Sequence, residues 1–355
     1  MEADQRFTPI EVDRHRALDP EHQPDELLEH VAAVQLERVA KLAVSTRSTL
    51  TAVVGERGLG KSAFARRLAS AIGGDRVRVV QCPEEGFTGL ERQLAELVGA
   101  PSLRGEALRR SLRETDVAVI VVDDIQRLVV PAVNGLHDLD AFTSFAREVG
   151  GALSWVVTIE AASWHFVRRA RGERVFFEQV VALPRWSEED LGKLIRRRCN
   201  LAGIDPSFDG LVVPRQADAP AAPEGDRTET GYYRLLWDYS AGNPAVALQA
   251  FGASLFETHA GNTVVRLFRQ PSSQVVEDLP MTVLFVLRAI AQLELAVAAE
   301  LERATQLPRT DVDDALRFCL SRGYIEPFES GVRLSWPWYR TITTVLVRQH
   351  LLPST

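Results

Sequence analysis

The residues best suited to chemistry form a glycine-rich stretch in the first quarter of the chain. It fits the pattern G-x-x-x-x-G-K-[ST], whose glycines let backbone N–H groups converge on a phosphate. The stretch consists of Gly55, Glu56, Arg57, Gly58, Leu59, Gly60, Lys61 and Ser62, and we add the following Ala63 to the predicted binding residues. The pattern therefore predicts a phosphate-binding loop.

Two side chains of this stretch would complete a nucleotide site. Lys61 is expected to reach the β- and γ-phosphates, and the Ser62 hydroxyl is expected to ligate Mg²⁺. A helix that starts near Lys61 would add the positive end of its dipole. The alternative is a glycine turn that matches the pattern by accident. We predict that the chain binds ATP and Mg²⁺ as its cofactors.

A second candidate group follows the apolar run at residues 117–122. Asp123 comes directly after that run and would help to hold Mg²⁺, whereas Asp124 falls where a base could polarise the attacking water. The alternative is a pair of aspartates that cap a turn after a core strand. Next to a phosphate loop, we adopt the catalytic interpretation.

The elements that must position these residues alternate between strands and helices. An apolar strand at residues 50–54 precedes the loop, and Phe64, Leu68, Ala71 and Ile72 mark one face of a helix after it. Further strands are predicted at 77–81, 117–122, 153–158 and 177–183, with helices near 90–98, 107–112 and 141–149. This alternation predicts an α/β fold with a doubly wound parallel sheet.

These motifs together resemble those of the AAA+ and STAND ATPases, over about residues 30–260. In the resemblance, the loop is Walker A and residues 119–124 are Walker B. It implies that Thr158, at the polar end of a strand, is sensor 1 and contacts the γ-phosphate or the attacking water. The alternative is an ordinary threonine at a strand end.

The resemblance also implies an arginine that enters the nucleotide site of a neighbouring subunit. Four arginines cluster between the strand that ends near Thr158 and the next strand, and by position we favour Arg171 or Arg174. The alternative is a solvated basic face in a chain with 38 arginines and three lysines.

A helical lid is implied for residues 187–270. Ser187 and Asp190 match a capping box at the start of its first helix. Residues 214–229 are rich in proline and predict a flexible insertion, to which we assign no structure. A Gly-Asn-Pro sequence ending at Pro244 resembles a STAND element that packs near the nucleotide, with a plain helix start as the alternative. No arginine stands at the sensor 2 place of replication initiators, which favours a STAND-like switch.

The last segment contains helices followed by a hairpin. Helices are predicted at 283–293, 297–304, 311–322 and 342–352, and strands at 323–328 and 332–336. This order resembles a winged helix-turn-helix. The helix that would read DNA opens with Asp311, Asp313 and Asp314, whose carboxylates repel phosphate. Packing on the ATPase or on a partner is therefore favoured over DNA reading.

Composition sets the outer limits. With 355 residues, 46% of them hydrophobic and 25% charged, the chain is expected to be a soluble globular protein of several domains. The net charge is −7, of which −6 belongs to residues 1–30, so the remainder is nearly neutral and demands no nucleic-acid partner. DNA binding is left open.

Cysteine usage and hydropathy complete these limits. Cys82, Cys199 and Cys319 lack any metal-ligand spacing and are predicted to be buried, reduced thiols. No apolar run approaches the roughly 20 residues of a membrane span, so we predict a cytoplasmic protein with no membrane span.

The motifs and composition together predict four segments: an acidic N-terminal segment (1–24), a P-loop ATPase core (25–186), a helical lid (187–270) and a winged-helix-like domain (271–355). The leading hypothesis is an ATPase that acts as a conformational and assembly switch and forms a homo-oligomer with ATP. Its hydrolysis would be slow, because Asp124 stands where many relatives carry a longer glutamate. One alternative is a DNA-associated ATPase, a loader or transposition regulator. Another is an ATPase that docks on a separate protein effector.

Overall fold

The computed structural model of the chain describes residues 7–10, 16–22, 32–44, 48–151, 153–171, 176–211, 224–329 and 331–353. The side chains of residues 171 and 224–227 are not included in that description. Most of the predicted acidic N-terminal segment, Arg174 and the side chain of Arg171 therefore lie outside the described residues.

Ten strands occur in the described parts of the chain. They are β1 (Phe7–Pro9), β2 (Leu50–Gly55), β3 (Val77–Gln81), β4 (Val119–Asp123), β5 (Ser154–Glu160), β6 (Gln179–Ala182), β7 (Leu255–Thr258), β8 (Thr263–Val265), β9 (Ile325–Phe328) and β10 (Gly331–Leu334).

The same residues contain fourteen α-helices. They are α1 (Ala33–Ala43), α2 (Lys61–Ile72), α3 (Gly86–Leu97), α4 (Gly105–Arg113), α5 (His137–Val149), α6 (Ala161–Arg171), α7 (Glu188–Ala202), α8 (Glu224–Ser240), α9 (Pro244–Gly252), α10 (Ser273–Glu277), α11 (Met281–Leu293), α12 (Ala298–Thr305), α13 (Arg309–Ser321) and α14 (Trp336–Arg348). None of these described helices is both long enough and apolar enough to cross a lipid bilayer.

The chain separates into two units. The smaller unit comprises Met1–Val31, Arg185–Ser272 and Tyr339–Thr341, and the larger unit comprises Ala32–Pro184, Ser273–Trp338 and Ile342–Thr355. The predicted lid lies in the smaller unit. Most of the predicted ATPase core, Ala32–Pro184, lies in the larger unit. The rest of that unit is the C-terminal module, which we define as Ser273–Trp338 and Ile342–Thr355.

The larger unit is built on a parallel sheet of five strands in the order β3-β4-β5-β2-β6. Strands β2, β4 and β5 are buried along their whole length, as parallel strands covered on both faces must be. This arrangement confirms the predicted α/β fold. Because β5 lies between β2 and β4, the carboxyl ends of all three meet at one edge of the sheet.

Alternating residues of β5 show how the two faces are covered. Trp155 makes edge contacts with Phe142 and Phe145 of α5, with ring centroids 5.7 and 6.3 Å apart. Val156 points to the other face and belongs to the apolar cluster that contains Phe64 of α2. The sheet is thus held between two apolar layers, and its carboxyl edge is a fixed platform.

The C-terminal module contains three mutually packed helices, α11, α12 and α13, followed by the antiparallel hairpin β9–β10. Ala296 bridges to Val332 and adds a third short segment to the hairpin. The final helix begins at Trp336, six residues before the predicted start at 342. Its early start places Pro337 in the first turn, where a helix does not need the missing N–H.

In the smaller unit, β1, β7 and β8 form an antiparallel sheet. Helix α7 is capped by Ser187, whose hydroxyl accepts from the Asp190 N–H at 3.1 Å, as the sequence predicts. One expectation was wrong. Residues 224–229, predicted as flexible chain, belong to α8, where Glu229 accepts a 2.9 Å hydrogen bond from Arg196 of α7. Residues 214–223 lie outside the described residues.

All three cysteines are free and buried, as their spacing predicts. Burial raises the pKa of the Cys199 and Cys319 thiols to about 12 and raises that of Cys82 as well. A thiol that does not ionise is a poor nucleophile and metal ligand. The cysteines therefore serve packing.

Candidate functional site

The phosphate loop joins β2 to α2 at the carboxyl edge of the sheet. Gly58 and Gly60 have φ angles of 88° and 91°, which residues with a side chain rarely adopt. A Cβ at Gly55 would lie 3.3 Å from Leu183 Cδ1 and 3.5 Å from Lys61 Cγ. The glycines thus permit the turn that directs backbone N–H groups toward a phosphate at the start of α2.

The first carboxylate, Asp123, is buried at the end of β4. Its Oδ1 accepts a short hydrogen bond from the Thr158 hydroxyl of β5, and Ser62 also donates to it. Burial and the neighbouring Asp124 raise the pKa of Asp123, and these two hydroxyl donors oppose that rise. The structure therefore brings together Ser62, Asp123 and Thr158.

The second carboxylate, Asp124, is held on both oxygens. Gln126 donates to its Oδ1 at 2.8 Å, and Gln81, at the end of β3, donates to its Oδ2 at 2.6 Å. Its backbone N–H donates to Thr158 Oγ1 at 2.9 Å, and its φ of 58° lies in the left-handed region. Because an amide N–H holds each carboxylate oxygen, Asp124 is fixed rather than free to approach a water.

The loop lysine is paired with a carboxylate of the C-terminal module. Lys61 Nζ donates to Glu294 Oε1, and the side chains are only 5% and 15% exposed. Burial alone would lower the pKa of Lys61, but the carboxylates of Glu294, Asp124 and Glu160 raise it above its ordinary value. Lys61 is therefore an ammonium whose charge is already balanced within the chain.

A further buried carboxylate, Glu160, lies beside this pair. It ends β5 directly opposite Gly55, and its Oε2 accepts from the N–H groups of Ala162 and Ser163 at the start of α6. Burial and the Glu294 charge raise the pKa of Glu160 to about 8. Near neutral pH the group is mostly protonated, which lets two carboxyl groups share the space next to one lysine.

The loop arginine is also held by the C-terminal module. Arg57 is buried, donates to the Leu334 carbonyl at 2.6 Å and lies 4.1 Å above the Trp336 ring. A guanidinium over an indole face is attracted by the negative ring face. Two cations of the phosphate loop thus have partners in the C-terminal module.

Sequence reasoning missed most of these partners. Glu294, Gln81, Gln126 and Glu160 match no motif, and the sequence indicates Trp336 only as one of several aromatic residues that could anchor an interface. One signal existed: Glu294 is an isolated acid between Leu293 and Leu295 in a strongly apolar stretch. An unpaired acid in such a stretch would need a cation, and the sequence could not say which one.

The residues present fit a nucleotide with Mg²⁺. No group of three or more His, Cys, Asp or Glu side chains that could hold a metal occurs among the described residues. Mg²⁺ at phosphate sites does not need one, because it takes one or two protein oxygens together with phosphate oxygens and water. The Ser62 hydroxyl and the Asp123 carboxylate would hold the ion, and Lys61 would hold phosphate oxygens.

Three predicted residues are not brought to this group by the described structure. Arg171 ends α6 in the larger unit, and its side chain, like Arg174, lies outside the described residues. Pro244 opens α9 in the smaller unit, where Asn243 caps the helix through the N–H groups of Ala245 and Val246. Their parts in catalysis and nucleotide binding stay predictions.

A parallel sheet with a glycine loop after one strand and an acid after its second neighbour defines a P-loop ATPase. Residues 44–163 match a family model described as an AAA domain. Residues 44–163 therefore form an AAA domain, and the chain is a P-loop ATPase with ATP and Mg²⁺ as its cofactors.

Several solved structures resemble the whole chain. The Aeropyrum pernix ORC2 protein, solved as ADPNP–ADP complexes, is 12% identical with a TM-score of 0.48, covering 97% of this chain and 99% of that one. The A. pernix ORC1 protein in complex with DNA is 18% identical with a TM-score of 0.47, covering 99% and 98%.

A Walker-type ATPase of Pyrococcus abyssi is 15% identical with a TM-score of 0.45, covering 93% of this chain and 99% of that one. No curated protein sequence matches the chain.

Proposed function

We propose that this AAA+ ATPase is a nucleotide-dependent switch, in which the C-terminal module closes the phosphate loop and ATP releases it for self-assembly. The observation that carries the proposal is the buried ion pair between Lys61 and Glu294. Lys61 is the side chain that a P-loop ATPase uses for the β- and γ-phosphates. Glu294 supplies a carboxylate to it instead.

Glu294 and a bound nucleotide compete directly, because the Glu294 carboxylate and a phosphate oxygen would accept from the same Lys61 ammonium. Lys61 cannot be fully engaged by Glu294 and by a γ-phosphate in the same place. Occupying the loop therefore requires Glu294 to leave, and its departure frees the segment that joins α11 to α12. Binding of the phosphate is thereby coupled to a movement of the C-terminal module.

Two features favour release once a phosphate arrives. A buried ion pair gains little net free energy, because the desolvation of both ions offsets their attraction. Glu294 also has φ 63° and ψ −46°, outside the favoured regions for a residue with a side chain. Such a backbone conformation costs on the order of 1–3 kcal/mol, which is recovered when the residue relaxes.

Other contacts would hold the closed form until then. Arg57 bonds to Leu334 and stacks on Trp336, and Ser163 Oγ donates to the Gln292 carbonyl at 2.6 Å. None of these contacts uses Lys61. The closed form is therefore held by several contacts around the loop. The binding free energy of the nucleotide must exceed their combined stabilisation.

The same geometry supports slow hydrolysis. Bound ATP with Mg²⁺ supplies the phosphoanhydride bond and the metal charge. Thr158 orients the Asp123 carboxylate, and Asp124 would have to give up an amide donor, from Gln81 or Gln126, to accept a proton from water. An arginine from a neighbouring copy, Arg171 or Arg174, would complete the site and make hydrolysis depend on assembly.

The decisive experiment uses Glu294→Gln, which removes the carboxylate charge and keeps the side-chain shape. We expect it to bind a non-hydrolysable ATP analogue at least about tenfold more tightly than the wild type, a gain of about 1.4 kcal/mol. Glu96→Gln is the matched control, because Glu96 is an exposed glutamate on α3 of the same unit. Affinity is measured by calorimetry, and molar mass by light scattering.

The outcomes separate the hypotheses. Unchanged affinity in Glu294→Gln would reject the closed-loop model. An increase in mass with the analogue alone supports the self-assembling switch, and an increase that needs added duplex DNA supports the DNA-associated alternative. A monomer under every condition leaves only docking on a separate effector.

The described structure offers little basic surface on α13 for the DNA alternative. Arg309 pairs with Glu302 and Asp313, and Arg317 pairs with Asp314. The cations of this helix are therefore balanced by its own and neighbouring acids, and phosphate binding would have to compete with them.

A further inference from the structure

A cavity of about 770 Å³ lies in the larger unit, between α6, α11 and the segment after α14. Its walls include His165 and Arg169 from α6, Arg288 and Gln292 from α11, and His350 near the chain end. It is separate from the phosphate loop, and its lining includes neither Lys61 nor Glu294. Its size falls in the range of small-molecule sites in proteins.

The cavity has a one-sided charge. Its lining holds two arginines and two histidines, and no acidic side chain among the described residues lines it. Arg348, also near the chain end, is paired with Glu277 and does not line the cavity. The cavity therefore favours anions.

Two polar atoms in its wall have no partner. Arg288 Nε and Gln292 Oε1 are buried, and neither makes a hydrogen bond. Gln292 is 4% exposed, and the two residues lie one turn apart on α11. Burial lowers the pKa of the Arg288 guanidinium. Buried polar groups in proteins are almost always satisfied, so an unmatched donor and acceptor in one wall are sites for ligand hydrogen bonds. Because protein atoms cover both of them, a ligand has to turn the two side chains toward the cavity.

We propose that this cavity binds a small organic anion that carries a phosphate group next to a hydroxyl. The phosphate is held by Arg169 and Arg288, since guanidinium groups bind phosphate through charged hydrogen bonds. The hydroxyl donates to Gln292. The apolar body of the ligand packs on Phe166 and Leu351, which also line the cavity.

The position of the cavity gives the ligand a consequence, which rests on the proposed function. Gln292 lies two residues before Glu294, and its carbonyl is already tied to Ser163 of α6. A ligand bridging Arg169 on α6 and Arg288 on α11 fastens these two helices together. The ligand therefore stabilises the closed loop and weakens the binding of ATP.

The binding test reads the two histidines directly. Imidazole NMR signals of the full chain are assigned with His165→Gln and His350→Gln, and ribose 5-phosphate is added as the probe. We expect the signals of both histidines to move at millimolar probe or below, whereas ribose alone and acetate leave them unchanged. Because the readout is local, probe bound at the phosphate loop does not imitate it.

Two variants decide whether the arginines are responsible. Arg288→Gln and Arg169→Gln are each expected to raise the probe concentration needed for half of the histidine signal shift at least about tenfold. Arg110→Gln, an exposed arginine of α4, is the control and is expected to leave it unchanged. Arg169 is also exposed, so its replacement tests the proposal even if Arg288→Gln folds poorly.

Three results would overturn the site: no histidine response, a response that persists in both arginine variants, or an equal response to acetate. The coupling has its own test. Saturating probe should raise the dissociation constant of the ATP analogue in the wild type and have no effect in Glu294→Gln. If histidines respond but the analogue is unaffected, the cavity stands and its link to the switch falls.

Discussion

The phosphate loop and the cavity between α6 and α11 both gather cations in the larger unit, but their charges are balanced in different ways. In the loop, Lys61 pairs with Glu294 and Arg57 donates to the Leu334 carbonyl. In the cavity, Arg288 Nε has no partner, and no acidic side chain of the described residues lines the wall.

This difference separates two ways of receiving an anion. A cation with a partner inside the chain binds an external anion only by displacing that partner, which couples binding to movement. A cation without an internal partner forms its first ion pair with the ligand. Binding then adds a contact and makes the surrounding helices more rigid. In the proposed switch, an anion at the loop would therefore release the C-terminal module, and an anion in the cavity would hold α6 and α11 together.

The largest expected effect comes from removing the loop cation. Lys61→Met leaves Glu294 buried without its partner, and we expect the free energy of unfolding to fall by about 3–5 kcal/mol. The double variant Lys61→Met, Glu294→Leu should regain most of that loss, because neither charge then remains. Denaturant unfolding measures both, and a double variant no more stable than the single one would contradict the compensation.

The pH dependence tests the carboxyl groups next to that cation. Burial and Glu294 raise the pKa of Glu160 from 4.5 to about 8, so the folded protein keeps a proton that the unfolded chain loses. The contribution of Glu160 to stability is complete below pH 4.5 and is lost as pH rises to about 8.

The loss should amount to a few kcal/mol, on the order of 1.4 kcal/mol for each unit by which the pKa is raised. Glu160→Gln has no such proton to lose, so the stability difference between variant and wild type should grow in the variant's favour between about pH 5 and pH 9. Urea unfolding across that interval measures it. Parallel curves for the two proteins would show that Glu160 ionises normally.

A smaller effect is expected at the loop arginine. Arg57→Gln removes the guanidinium from the Trp336 ring and weakens the bond to Leu334, a loss of about 1 kcal/mol from the closed form. The ATP analogue should then bind about fivefold more tightly, less than in Glu294→Gln. Calorimetry under the same conditions compares the two variants. Weaker binding in Arg57→Gln would show that Arg57 mainly contributes to holding the nucleotide.

The smallest effect on stability is expected at Arg288. Arg288→Met replaces a partly buried cation that pairs with no carboxylate among the described residues. The variant should therefore be within about 1 kcal/mol of the wild type, or slightly more stable. Thermal unfolding of Arg288→Met beside Lys61→Met makes the comparison. A loss as large as that of Lys61→Met would reveal a partner for Arg288 and remove the case for an open anion site.

How much of the molecule could be predicted is clearest at the sheet. The strands β2, β4 and β5 are local features, because a short apolar run bounded by polar residues indicates a buried strand wherever it occurs. The glycine loop and Asp123 stand at the ends of such strands, so their meeting at one edge follows from the α/β pattern. The predicted strand at 153–158 is short by two residues, and one of them is Glu160.

Element ends were less predictable, for local reasons. The prediction starts the final helix at residue 342, six residues too late, although Pro337 is well tolerated in its first turn. It leaves residues 224–229 flexible because prolines precede them, whereas the helix they begin is supported by a contact from α7 that lies 33 positions away in the chain.

The sequence by itself determined the class of protein and its cofactors and predicted the phosphate-binding residues, because those features repeat a short local pattern. Only the tertiary structure decided what faces Lys61, Arg57 and Arg288. Glu294 lies 233 positions from Lys61, and Leu334 lies 277 positions from Arg57. Polar groups so far apart in sequence interact only after the chain has folded. Burial in a low-dielectric interior then strengthens the interaction of each cation with the group next to it.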